Sequence, residues 1–307
     1  MSEVMVYVNT DLLFKKAEKG NYAVGQFNVF NLETVLAVVN ECVELNSPAI
    51  IAVTESSINY AGIHNLVDLI KPLLEGTKNR FAFHLDHGRS LDTCEKAIKE
   101  GFSSVMIDGS QLSFEENIEI TRKVVSIGKK KKVSVEAELG KLVSSEENNS
   151  SNNFTNPEQA KEFVKKTKCS SLAIAVGTSH GAYKFKGEAE LDFERIKKIK
   201  SLTKIPLVLH GASSVPKEIV EKAIKFGAKI EEAKGVDEAS IKKAIQCGIR
   251  KINIDTDLRL GFTAAVREYL QERPAIFDPR QILGHARAEI REIVKQKIAL
   301  FGSQNKG

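Results

Sequence analysis

The chain has 307 residues, of which 42% are hydrophobic, and its 45 basic and 40 acidic side chains leave a net charge of +5. That composition supports a large core, and no apolar run approaches the ~20 residues of a membrane span. A charge this small for the size admits anionic small molecules and gives no argument for nucleic acid.

The N-terminal MSEVMVYVNTDLLFKK is mixed and charged, with no continuous apolar stretch. No signal peptide and no membrane association are expected, and a cytoplasmic location follows as the default. Cys42, Cys94, Cys169 and Cys247 are far apart and form no CxxC pair. They read as buried or half-buried thiols in a reducing compartment.

Short apolar runs alternate with longer amphipathic ones. The first strand is expected at Tyr22–Val29. It is followed by a helix over Leu32–Leu45, with Leu32, Val35, Leu36, Val39 and Val43 on one face. Strands at Pro48–Glu55 and Arg80–His87 come next, then a helix over Ser90–Glu100 opened by a serine cap. A strand at Ser103–Ser110 leads to a helix over Phe114–Ile127, whose end carries the basic run Lys129 to Lys132, where cations suit the helix dipole. Strands at Val133–Gly140, Ser171–Gly177, Ile205–His210 and Arg250–Asp255 complete a set of eight, with a helix over Pro216–Phe226. The second half of Ala228–Gln246 reads as an extra helix, and the tail from Pro279 as a long one.

Eight apolar strands with helical crossovers indicate an α/β protein with a parallel sheet, and eight closes a TIM (β/α)8 barrel with extra C-terminal helices. An open doubly wound sheet is the competing architecture. The first strand lacks a glycine-rich phosphate loop, and polar residues crowd the ends of many strands, both of which favour the barrel. The chain is read as one barrel domain over 1–307, with a C-terminal helical extension at 279–307. Ser144–Pro157, SSEENNSSNNFTNP, has almost no apolar residue to anchor it to a core. A loop at 141–157 follows the fifth strand and so lies at the barrel's functional end, where a mobile lid and a passive surface loop are equally compatible with its composition.

Three of the six histidines each end an apolar run beside a glycine: FAFHLDHG (His87), AVGTSHG (His180) and LVLHGAS (His210). Meeting at one barrel mouth, they would make a three-imidazole site with an open fourth position, as a catalytic zinc requires; cobalt and iron are the other metals this set suits. Period-2 alternation points His84 and Asp86 into the barrel, and His87 is expected to start the loop. Asp86 beside a ligand can act as general acid/base toward a hydroxyl of a metal-bound substrate, the competing reading being a helix cap. His84 reads as a residue lining the barrel. After His180 come Gly181 and Lys184, and after His210 come Gly211 and Ser213, types that receive an anion. The eighth strand ends in NIDTDLRL, crowding Asn253, Asp255, Thr256 and Arg259 where barrels often build a phosphate site. A Schiff-base mechanism would need a lysine inside a strand; Lys251 lies near the start of strand eight, at the wrong end, and Lys184 in a loop.

HLDHG, SVMIDGS, SVEAELG, GTSHGAYKFKG, PLVLHGAS and NIDTDLR occur in that order and together resemble the class II, metal-dependent ketose-bisphosphate aldolases, from about Tyr7 onward. The resemblance is closest to the fructose-1,6-bisphosphate branch of the shorter subclass. It implies that His87, His180 and His210 are the zinc ligands and that Asp86 exchanges the proton of the C4 hydroxyl. It also implies that Gly181, Lys184, Gly211, Ser213, Asn253 and Thr256 cradle the C1 phosphate. Asp255 and Arg259 then orient the rest of the sugar and its C6 phosphate. Glu138 comes close to the metal, and the catalytic loop glutamate falls at Glu146, with Glu147 adjacent. Arg280 reaches into a neighbouring subunit's site, implying a homodimer or homotetramer, and a monovalent cation, Na+ or K+, sits near the C1 phosphate. The alternative substrate is tagatose 1,6-bisphosphate. Asp255 favours fructose, whereas Ala212, where many fructose enzymes have a second glycine, is shared with the tagatose branch. The loop is also shorter and richer in Asn and Ser than is usual. A non-catalytic scaffold and a zinc hydrolase on the same barrel are the readings of other classes.

Overall fold

The computed structural model describes residues 7–140, 154–178, 191–213, 216–230 and 235–307. Parallel strands close on one another in sequence order: β1 (Val24–Asn28), β2 (Ala49–Thr54), β3 (Phe81–Gly88), β4 (Ser104–Ile107), β5 (Ser134–Leu139), β6 (Ser171–Ile174), β7 (Leu207–Leu209) and β8 (Ile249–Ile254), which returns to β1. All eight expected strands are present, mostly trimmed at their ends. Around them run α1 (Thr10–Gly20), α2 (Leu32–Glu44), α3 (Glu55–Ala61), α4 (Ile63–Glu75), α5 (Leu91–Lys99) and α6 (Phe114–Lys131). Then come α7 (Pro157–Thr167), α8 (Phe193–Thr203), α9 (Lys217–Lys225), α10 (Glu238–Cys247), α11 (Thr256–Glu272) and α12 (Pro279–Phe301). Among the described residues, no helix is long and apolar enough to cross a membrane.

Local chemistry sets the helix boundaries. Asn31 and Thr34 form a capping box at the start of α2, and Ser113 and Glu116 form one at α6, each satisfying backbone N–H groups that lack a partner in the first turn. Ser90 caps α5 as expected. The basic run closes α6, with Lys132 in the left-handed cap position.

Strand alternation separates two environments. Phe81, Phe83 and Leu85 on β3, and Val135, Ala137 and Leu139 on β5, face the helices in the main apolar core. The intervening residues face the barrel axis. At the N-terminal end of the axis, Val24, Ile50 and Ala82 pack with Leu13, Phe14 and Ala17 of α1. This helix plugs the barrel and is tied down by hydrogen bonds from Thr10 to Ser104 and from the Asp11 N–H to Ser134. Above the plug the axis turns polar: Gln26, His84, Ser104, Glu136 and Lys251 are all buried.

The four cysteines are free and buried. Burial pushes the Cys94 and Cys169 thiols up to about 12 and about 11, so both stay protonated at neutral pH.

Most of the polar run Ser144–Pro157 lies outside the described residues, but its end departs from expectation. Thr155 is buried: its hydroxyl donates to the Leu139 carbonyl and accepts from the Ala175 N–H at 2.8 Å. The loop's last residues are therefore anchored between β5 and β6 by one threonine, which hydropathy alone hides.

The C-terminal helix α12 packs on α2 and α11, and the Phe301 carbonyl accepts from the Ala23 N–H at 3.1 Å, beside β1. A buried ion pair, Lys297 Nζ to Asp257 Oδ2 at 2.6 Å, joins α12 to α11. Lys297→Met leaves a buried carboxylate without its cation and is expected to cost about 3–5 kcal/mol in urea unfolding. Replacing Asp257 by Asn as well should recover part of that loss; equal stability of parent and Lys297→Met would show that the pair does not tether the helix.

Candidate metal centre and active site

The third strand places two functional groups at one mouth by breaking its own regularity. Leu85 pairs with Val105, but the next pair is Gly88 with Ile107, so β3 holds one extra residue: a β-bulge. His87 sits in that bulge with φ of 51°, a left-handed conformation that strains a non-glycine residue. His87 therefore does not start the loop, as the alternation predicted, but lies inside the strand. In an unbroken strand Asp86 and His87 would face opposite sides; the bulge lets both serve the same end. Gly88 permits the close approach to β4: a Cβ there would lie 2.8 Å from the Met106 carbonyl oxygen and 2.9 Å from Cys94 Sγ.

Asp86 is buried between two amides: Asn28 Nδ2 donates to Oδ2 at 2.8 Å and Asn253 Nδ2 to Oδ1 at 3.1 Å. Gln26 in turn donates to Asn28 at 2.9 Å, fixing its orientation. Burial alone would raise the Asp86 pKa, but His87 and His210, then Lys251 and His84, outweigh it and hold the carboxyl far below the usual carboxylate range.

His87 and His210 come together edge to face, with ring centroids 4.7 Å apart. His87 Nδ1 lies 2.8 Å from Asp108 Oδ2 and 3.8 Å from Glu138 Oε2, and His210 Nδ1 lies 3.4 Å from the same Glu138 oxygen. On the other side of its ring, His210 Nε2 meets Glu136 Oε1 at 3.0 Å. Burial disfavours a charged His210, yet Glu136 and Glu138 outweigh it and raise its pKa to about 10. The position thus demands positive charge, from a proton or a bound cation. Asp86, His87 and His210 offer ligand atoms within 4.8 Å of one another, and so do His87, Asp108 and Glu138. Glu138 Oε2 is buried, and no hydrogen bond of good geometry from a described donor reaches it. A hard-to-borderline divalent cation fits this imidazole–carboxylate set.

His180, Gly181, Lys184, Glu146 and Glu147 lie outside the described residues. Among the other expected site residues, Gly211 follows His210 with φ of 62°, and Ser213 is buried. Asp255 and Thr256 open α11, where Arg259 Nε binds Asp255 Oδ1 at 2.8 Å. Arg280 is 91% exposed and bound to its own neighbour Asp278 at 2.8 Å. His84 lines the barrel, hydrogen-bonded to Ser104 at 2.9 Å; burial, then Lys251, lowers its pKa to about 3, so it is neutral. A cleft of about 480 Å³ opens over β2–β5, lined by Ser56, Asn59, His87, Arg89, Asp108 and Glu138 among others.

Asn28, Asp108, Glu136 and Lys251 were not assigned a role from sequence. Alternation on SVEAEL puts Glu136 on the same face as Glu138, and a glutamate turned into a barrel requires a cation. Lys251 supplies it from β8. It lies near the start of β8, as expected, and its side chain is fully buried in the barrel with its ammonium on both Glu136 oxygens.

Asp86, Asp108 and Glu136 all have folded pKa values below their usual ones. Such groups contribute stability that is present above the unfolded pKa of about 4 and is lost as the pH falls through the folded values. Acid unfolding of the metal-free protein should be less steep in Asp86→Asn, which has no carboxylate to protonate. An unchanged slope would show that Asp86 is not held ionised.

A family model described as "Fructose-bisphosphate aldolase class-II" matches residues 8–306. The chain is 44% identical over 296 residues to the fructose-bisphosphate aldolase of Helicobacter pylori, covering 95% of this chain and 96% of that protein. It is 46% identical over 295 residues to the fructose-bisphosphate aldolase of Thermus caldophilus, with the same two shares covered. The crystal structure of the YdjI aldolase from Escherichia coli K12 superimposes with a TM-score of 0.81 at 31% identity, over 98% of this chain and 99% of that one. From its barrel, its strand-end motifs and these full-length likenesses, this chain belongs to the class II fructose-bisphosphate aldolase family.

Proposed function

We propose that this protein catalyses the reversible, zinc-dependent aldol cleavage of fructose 1,6-bisphosphate to dihydroxyacetone phosphate and glyceraldehyde 3-phosphate, a step of glycolysis and gluconeogenesis, in the cytoplasm. The observation that carries the reading is the buried Asp86 carboxyl group, held by Asn28 and Asn253 beside the His87–His210 pair. His87 and His210, with His180 as the third ligand, would hold the zinc. When bound, zinc supplies Lewis acidity toward the ketone oxygen and makes the adjacent C–H more acidic.

Asp86 takes the C4 hydroxyl proton as the C3–C4 bond breaks and returns it in condensation. Its two amide partners hold the carboxylate aimed for that exchange. Glu146 serves as the base at the C–H of dihydroxyacetone phosphate, with Glu147 its nearest substitute, and the 141–157 segment closes as a lid that brings it in. Gly181, Lys184, Gly211, Ser213, Asn253 and Thr256 receive the C1 phosphate, with a Na+ or K+ ion beside it. Asp255 and Arg259 orient the remainder of the sugar. Arg280 serves the site of a neighbouring copy in a homodimer or homotetramer. Holding both phosphates fixes the reacting carbons. Tagatose 1,6-bisphosphate is the second reading, because Ala212 stands in the HGAS motif.

Removal of metal by a chelator should abolish cleavage and zinc should restore it; full activity in a metal-free sample would overturn the mechanism. Asp86→Ala should lower kcat about 10²–10⁴-fold with zinc content unchanged. Comparing kcat/KM for fructose and tagatose bisphosphates decides the substrate, a preference for fructose being expected.

A further inference from the structure

One charged chain inside the barrel is not used by this mechanism. Lys251 on β8 places Nζ 2.8 and 2.7 Å from the two oxygens of Glu136 on β5. Glu136 Oε1 is also 3.0 Å from Nε2 of His210, which follows β7. Lys251 and His210 are 0% exposed and Glu136 2%. A lysine and a glutamate buried this deeply replace well-packed apolar residues at no evident gain in stability. Their arrangement has a chemical consequence instead. Both Glu136 oxygens accept from Lys251, and Oε1 faces the imidazole nitrogen, so Nε2 must carry the hydrogen. In the neutral ring that a metal requires, the lone pair then belongs to Nδ1, on the side of Glu138 and His87.

We infer that Glu136, anchored by Lys251, is the positioning residue for His210: it accepts the Nε2–H, fixes the tautomer and ring orientation, and thereby presents Nδ1 to the metal. This rests on the reading of His210 as a metal ligand. Lys251 has a defined part. Without its ammonium, Glu136 would be a buried anion free to turn or take up a proton, and in either case would stop accepting from Nε2. A partner on the far nitrogen of a ligating imidazole raises its basicity, and losing one typically costs 10–100-fold in metal affinity.

The test replaces the pair in two ways and reads zinc affinity by competition with a chromophoric chelator, together with the visible spectrum of the cobalt-substituted protein. Glu136→Leu/Lys251→Met removes the acceptor while leaving no unpaired charge. It is expected to bind zinc ~10–100-fold more weakly and to shift the cobalt bands. Glu136→Gln/Lys251→Met keeps an amide oxygen facing Nε2 and should recover most of the affinity, which a merely space-filling role does not predict. Parent-like zinc affinity and cobalt bands in the Leu/Met variant overturn the inference, as does equal weakening in both variants. The parent protein provides a measurement that needs no substitution: the ¹⁵N shifts of His210 in the zinc-loaded enzyme should show hydrogen on Nε2, and hydrogen on Nδ1 overturns the inference. His210→Ala separates this from the reading beneath it. If that variant binds zinc as tightly as the parent, His210 is not a ligand. If it loses zinc while the Leu/Met variant does not, only the positioning role fails.

Discussion

The whole centre depends on one constraint: carboxylates have been brought into the axis of a closed barrel, where water cannot solvate them. Asp86, Glu136 and Glu138 are all 2–3% exposed. A buried anion is tolerated only where donors or cations compensate it, and here each is met differently. Asn28 and Asn253 solvate Asp86 with two neutral amides and leave it a base. Lys251 neutralises Glu136 outright. Glu138 faces two imidazoles and calls for more positive charge than neutral rings supply. Three carboxylates on neighbouring parts of one axis thus acquire three different chemical characters from what surrounds them.

That division requires side chains from distant strands to arrive at the same height. Closure of β8 onto β1 sets Gln26 beside Asn253, and the β3–β4 register sets His84 beside Ser104. The bulge at His87 is a local departure from this order, as is the register shift between Leu207 and Val208 on β7, and the bulge places the His87 imidazole next to Asp86 rather than on the opposite face. The strain of its left-handed backbone is offset by hydrogen bonding to Asp108, which also turns the ring. Asp108 is steadied by the Ser110 hydroxyl at 2.7 Å, so the motif MIDGS supports the motif LDHG across one strand pair.

What the sequence revealed follows from this geometry. Strands of a barrel buried on both faces read as short apolar runs, so all eight were legible, and glycines after histidines marked the mouth. The α3–α4 pair between β2 and β3 was not anticipated; Pro72 within α4 interrupts the pattern that would have flagged it. The bulge was invisible because alternation presumes an unbroken strand. The Glu136–Lys251 contact joins residues 115 positions apart. A lysine in an apolar run signals only that some acid must face it, and strand register decides which. Asn28 falls inside the expected first strand, but only the closed barrel shows that its amide reaches across the axis to the Asp86 carboxylate of β3.

The arginines around the mouth show how charge is kept ready without being consumed. Arg259 rests on Asp255 four residues before it, and Arg280 on Asp278 two residues before it. Both guanidiniums are exposed, and water screens exposed pairs of this kind so that they contribute little. They are weak enough to open when a better anion arrives. On the proposed reading, a phosphate dianion, with more charge and oxygens matched to the guanidinium fork, would displace the aspartate. The neighbouring aspartate meanwhile holds each side chain near the helix start from which it must act. Inside the barrel the Lys251–Glu136 pair is buried, so bulk solvent does not screen it in this way. Burial thus separates a charge pair fixed within the fold from pairs that water keeps exchangeable.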